Sequence, residues 1–134
     1  AWLPRVTVKA VACPLFVPFV EAGWWDHRAT VLVAQEYLSG LKQARIDALV
    51  LGCTHYPLLK GVIARVMGPG VRLIDSAEQT ALETERLLLS IGLRRRRGQG
   101  SHRFFVSDDP QRFLKMARRL VKIKPGRVEL HRFD

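Results

Sequence analysis

Apolar positions recur along this chain with two different periods, and the switches between them mark the elements. VTVKAVA (6–12) alternates closely enough to predict a strand. CPLFVPFVE (13–21) follows, and its prolines, Pro14 and Pro18, oppose a central strand or a helix interior, so a loop packed on its apolar side chains is expected. From about 27 to 44 the period lengthens. Val31, Ala34, Leu38 and Leu41 fall on one helical face, with Asp26 in place to cap the helix and Gly40 weakening it slightly. DALVLG (47–52) reads as a short buried strand. Pro57 with Leu58, Leu59, Val62, Ile63 and Val66 predicts a helix that carries a proline in its first turn.

GPG (68–70) ends that helix, and VRLID (71–75) gives another strand. SAEQ (76–79) has the form of a capping box, with Ser76 facing the N3 amide and Gln79 reaching back, and the helix it opens stops at Gly92. RFFVS (103–107) predicts a strand. Asp109 and Pro110 then supply a cap and a first-turn proline for a helix with Phe113, Met116, Ala117 and Leu120 on its apolar face, and RVELHRF (127–133) predicts a last strand. Strand and helix alternate, which argues for an α/β fold with a parallel sheet flanked by helices. No internal repeat is evident.

Composition changes this picture little until charge is divided along the chain. The 134 residues are 48% hydrophobic, enough for one domain with a real core. No apolar stretch reaches the roughly 18 uncharged residues of a membrane span, and AWLPRVTVKA lacks the zones of a signal peptide, so a cytoplasmic protein is expected. The net charge is +10, yet residues 1–93 hold 9 Lys+Arg against 8 Asp+Glu, whereas residues 94–134 hold 13 against 4. The excess belongs to the tail, which makes residue 93 a candidate boundary. Arg94, Arg95, Arg96 and Arg97 run into GQGS, a solvated linker by its lack of periodicity, and no interleaved aromatics or recognition motif supports nucleic acid as a partner.

The candidate chemistry sits in LGCTHYPLL (51–59), where Cys53, Thr54 and His55 lie between a strand and a helix, at the strand end where α/β folds place their ligand crevices. A thiol has a reference pKa of about 8.5, and a helix N-terminus or an imidazolium favours its thiolate. Such a thiolate serves as nucleophile, as metal ligand or as a base toward carbon, and spacing alone does not choose among them. For an arbitrary Cys-x-His the default is an inert core thiol beside a surface imidazole. Two cysteines, Cys13 and Cys53, are too few for a disulfide framework, and a zinc site usually needs at least about three protein ligands, so neither disulfide nor metal is expected.

What decides is a resemblance. LGCTHYPLL resembles the second-cysteine motif of glutamate racemases, ACPLFVPFVEAG (12–23) is similar to the segment that precedes it in that family, and IDSAEQTA (74–81) and FFVSDDPQRF (104–113) resemble the family's carboxyl-terminal half. The likeness covers nearly the whole chain. It implies an aspartate/glutamate racemase-like fold in which residues 1–93 form the second α/β domain. Residues 94–134 would then be a basic linker and a strand-helix-strand tail that packs on a first domain not contained here. It also implies interconversion of L- and D-glutamate for peptidoglycan by proton transfer between two cysteines, without cofactor or metal.

By the same resemblance Cys53 is the cysteine that deprotonates L-glutamate, His55 assists it, Thr54 contacts the substrate, and Glu21 matches the acidic residue that supports the histidine. Cys13 is not the partner cysteine. The family's first catalytic cysteine lies in a CNT-type motif, accompanied by aspartate-serine and proline-tyrosine-glycine motifs, and none of the three occurs in this sequence. Cys13 is expected to be a buried structural thiol. Those absences, with a start at Ala1 that lacks an initiator methionine, lead to the expectation of a carboxyl-terminal half, inactive by itself because half of the proton-transfer pair is missing. Glutamate is the expected substrate, and a homodimer is an expectation for the full-length enzyme. The competing readings are a racemase acting on aspartate and a noncatalytic DNA-binding module using the basic tail.

Overall fold

The computed structural model describes residues 6–95, 97–98, 100–120 and 126–132. Arg96, Phe133 and the side chain of Leu120, all named above, lie outside the described residues. The elements run α1 (Phe16–Ala22), α2 (Arg28–Gln43), β1 (Ala48–Leu51), a 3-10 turn (Tyr56–Leu59), α3 (Lys60–Met67), β2 (Arg72–Asp75), α4 (Ser76–Ser90), β3 (Phe104–Val106), α5 (Pro110–Leu120) and β4 (Val128–Leu130). They fall into two compact units, Ala1–Leu87 and Leu88–Asp134.

In the first unit β1 and β2 pair in parallel, Ala48 opposite Arg72 through Leu51 opposite Asp75. The crossover between them is the 3-10 turn and α3, the expected strand-helix-strand connection. Leu49, Leu51 and Leu73 share the sheet face that packs on the core, where Phe16 and Val20 of α1, Ala34, Leu38 and Leu41 of α2, Leu59 of the turn, and Val62, Ile63, Val66 and Met67 of α3 are buried. The opposite face is different. Val50, expected inside a buried strand, is 62% exposed, because alternation turns it away from the helices that cover Leu49 and Leu51. No residue of α4 is buried. In the second unit β3 and β4 also pair in parallel, Phe104 with Val128 through Val106 with Leu130.

Several expectations need correction. Residues 6–12 form neither strand nor helix, and Val6 and Val8 are largely exposed. The ladder of β1 goes to β2, and alternation alone does not make a strand when no edge satisfies its amides and carbonyls. The segment predicted as a loop contains α1. Pro18 is tolerated because it occupies the first turn, where the amide has no intrahelical acceptor to lose.

Two helix caps also differ. His27, not Asp26, caps α2, its Nδ1 accepting from the Ala29 amide at 3.1 Å, while Asp26 pairs with Arg65. At α4 the acceptor is Asp75, whose Oδ1 takes the amides of Ala77 at 2.9 Å and Glu78 at 3.4 Å, so Ser76 is already inside the helix. Asp109 caps α5 as expected, accepting from Gln111 at 2.8 Å and Arg112 at 3.1 Å.

Candidate active site

Leu51 ends β1, and the chain turns within Gly52–Tyr56, the Tyr56 amide donating to the Cys53 carbonyl at 3.2 Å. That turn brings residues two apart onto one side. Cys53 Sγ lies 3.9 Å from His55 Nδ1, and Thr54 Oγ1 lies 3.4 Å from the same nitrogen. Cys53 is a free thiol on a partly exposed residue. The turn stands at the carboxyl end of β1, next in the sheet to the carboxyl end of β2, where parallel sheets open their crevices.

The fourth residue comes from α1. Gly23 adopts φ 78°, which a glycine takes without steric cost, and its amide bonds the Val20 carbonyl at 2.9 Å while the Trp24 amide bonds the Phe19 carbonyl at 2.8 Å. Phe19 and Trp24 stack at 5.7 Å across this stop, completing a Schellman ending. Glu21 therefore lies in the final turn of α1. A carboxylate there opposes the helix dipole, and its Oε1 stands 3.7 Å from His55 Nε2, an ion pair when the imidazole is protonated.

Carboxylate, imidazole and thiol thus follow one another, with the side chains of His55 and Glu21 30% and 37% exposed. With its proton on Nε2, toward Glu21, the imidazole leaves Nδ1 as an acceptor facing the sulfur. The geometry suits passage of a proton between sulfur and ring. All four residues singled out in the sequence, Glu21, Cys53, Thr54 and His55, lie together in the first unit. Cys13 is apart from this series. It is 5% exposed, its Sγ faces the Val11 carbonyl at 4.0 Å, and burial pushes its thiol up from the ordinary value. Among the described residues no three of His, Cys, Asp and Glu gather closely enough to hold a metal ion.

One residue of this neighbourhood escaped the sequence reading. Tyr56 donates from its hydroxyl to the Cys13 carbonyl at 3.4 Å and sets its ring edge-on to Phe16 at 5.4 Å. Its adjacency to His55 was the available signal; the contact itself joins positions 43 apart.

A glutamate racemase from Geobacter metallireducens is 49% identical over 126 residues, 93% of this chain and 47% of that protein. One from Syntrophus aciditrophicus is 46% identical over 131 residues, 95% of this chain and 48% of that protein. The chain is a homologue of the glutamate racemases. It spans about half the length of the curated relatives it matches, consistent with the expected carboxyl-terminal half. No family model matches it.

Solved structures agree on the fold. Glutamate racemase from Thermus thermophilus, in complex with beta-chloro-D-alanine, superposes with a TM-score of 0.80 at 46% identity, covering 92% of this chain and 46% of that one. The enzyme from Francisella tularensis, in complex with D-glutamate, gives 0.83 at 34% identity, over 96% of this chain and 48% of that one. The α/β fold expected from the sequence matches about half of each of these racemase structures. Among the described residues no helix is long and apolar enough to cross a membrane.

Proposed function

We propose that this chain supplies one half of a glutamate racemase active site, with Cys53 exchanging a proton with the α-carbon of glutamate. The observation that carries the reading is the series Glu21, His55, Cys53, at 3.7 and 3.9 Å, in a homologue of glutamate racemases. In the direction from L-glutamate the Cys53 thiolate takes the α-proton. A second thiol, on a segment outside these residues, gives a proton to the opposite face of the carbanion, and the centre is inverted. In the other direction the two exchange roles, since a thiol works as acid and its thiolate as base.

His55 accepts the Cys53 proton at Nδ1 to form the thiolate, and after Cys53 has taken the α-proton the ring gives its proton up to solvent while the second thiolate is reprotonated from solvent; Glu21 steadies the imidazolium that exists in between. The Thr54 hydroxyl, exposed on the same turn, hydrogen-bonds the substrate. D-glutamate so formed serves peptidoglycan synthesis in the bacterial cytoplasm.

In this reading residues 1–93 are the second domain of the enzyme and residues 94–134 a linker and tail that pack on the first. The apolar surface left open supports a missing neighbour: Val50 on the sheet, and Leu82, Leu87, Leu89 and Ile91 along and just beyond α4, are exposed. Parallel sheets are ordinarily covered on both faces. The full-length enzyme is read as a homodimer.

Deuterium exchange at the α-carbon tests the assignment of half a site. The purified 134-residue chain, given either enantiomer of glutamate in deuterated water, will leave its configuration unchanged. Brisk two-way racemisation by this chain alone would refute the proposal that a second thiol must come from elsewhere.

A further inference from the structure

We infer that Tyr56 is a positioning residue of this site, tying the Cys53–His55 turn to the helix that carries Glu21. The inference rests on the proposed proton exchange between Cys53 and His55. Three attachments converge on this side chain's residue. Its amide closes the turn on the Cys53 carbonyl at 3.2 Å, its ring stands at 84° against Phe16, and its hydroxyl donates to the Cys13 carbonyl at 3.4 Å.

That carbonyl is also the acceptor for the Phe16 amide at 3.1 Å, the bond with which the chain enters α1. Phe16 is 1% exposed and is held on another side by Tyr37, ring centroids 5.6 Å apart, so the foot of α1 is fixed in the core. Glu21 stands five residues further along the same short helix. The turn bearing sulfur and imidazole and the helix bearing the carboxylate therefore share one anchor, and the 3.7 Å between Glu21 and His55 depends on it. Burial, with the neighbouring Cys13 and Cys53 thiols acting in the same direction, pushes the phenol above its ordinary value, which keeps it a hydrogen-bond donor to that carbonyl.

The test measures alkylation of Cys53 by iodoacetamide at neutral pH in the 134-residue chain, each cysteine followed separately by peptide mass spectrometry. The variants are Tyr56→Phe, which keeps the ring and the turn amide, His55→Gln, and the two combined. Tyr56→Phe is expected to slow Cys53 alkylation roughly fivefold, the scale of one hydrogen bond, and to shift the ring-proton resonances of His55. It should leave buried Cys13 as slow as before. In the His55→Gln background the same change should have no further effect, because the tyrosine acts through the imidazole.

An unaltered rate in Tyr56→Phe beside a clear loss in His55→Gln would overturn the positioning role and leave the cysteine–histidine pairing intact. Equal effects of Tyr56→Phe in both backgrounds would overturn it too, since they mark general packing. An unaltered rate in His55→Gln would sink the pairing and this inference together.

Discussion

Replacing Glu21 by glutamine keeps the shape of the side chain and removes its charge. When the Cys53 proton passes to the ring, an imidazolium stands 3.7 Å from the carboxylate. Two unit charges at that distance attract by about 1 kcal/mol at the dielectric of water and about 4.5 kcal/mol at an effective value of 20. Because the His55 and Glu21 side chains are 30% and 37% exposed, solvent screening brings the figure toward the lower bound, about 1 kcal/mol. Glu21→Gln should therefore slow Cys53 alkylation at neutral pH by roughly fivefold, a tenfold change corresponding to about 1.4 kcal/mol. The assay is the iodoacetamide rate at Cys53 with Cys13, 5% exposed, as an internal reporter of unfolding. A wild-type rate in this variant, with the fold intact, would refute the claim that the carboxylate acts on the thiol through the ring.

Further predictions concern stability. Burial raises the Cys13 thiol and the Tyr56 phenol above their ordinary values, so the folded state holds these protons more tightly. Their contribution is complete below those values and is lost as pH climbs through the folded ones; the urea midpoint should fall on the alkaline side and fall less steeply in Cys13→Ala and Tyr56→Phe. A pH-independent midpoint between 9 and 12 in the wild type would contradict this. His27→Ala removes the acceptor that caps α2 and should cost about 1 kcal/mol in urea unfolding. Leu59→Ala, at a side chain with 0% exposure between the site turn and α3, should cost about 2–5 kcal/mol by the same measurement.

What could be read in the sequence was whatever depends on near neighbours. The apolar face of α2, the run of β1, the glycines after α3 and the Asp109-Pro110 start of α5 are local signals, and each marks an element in the fold. The two prolines of CPLFVPFVE misled because their effect depends on place within a helix: Pro18 falls in the first turn of α1, where it breaks nothing. Residues 6–12 misled in the opposite sense, since an alternating segment becomes a strand only with an edge to pair. Asp75 and His27 outcompeted the caps expected at Ser76 and Asp26 by one position, and which residue leads a helix depends on where the preceding strand or turn stops.

At the candidate site, Cys53, Thr54 and His55 stood out as contiguous residues at a strand end, and the roles proposed for them came from the resemblance. Glu21 entered through resemblance, since the Schellman ending that delivers it to His55 was not recognised in EAGW. Tyr56 was missed altogether, its role resting on a carbonyl 43 residues away.

The most direct test of the central claim uses a chain of the relatives' full length that contains these 134 residues, with Cys53→Ser. Turnover of L-glutamate is followed by deuterium incorporation at the α-carbon, and glutamate binding by calorimetry. Binding retained with racemisation abolished is the predicted result; near-normal turnover in that variant would contradict the assignment of Cys53.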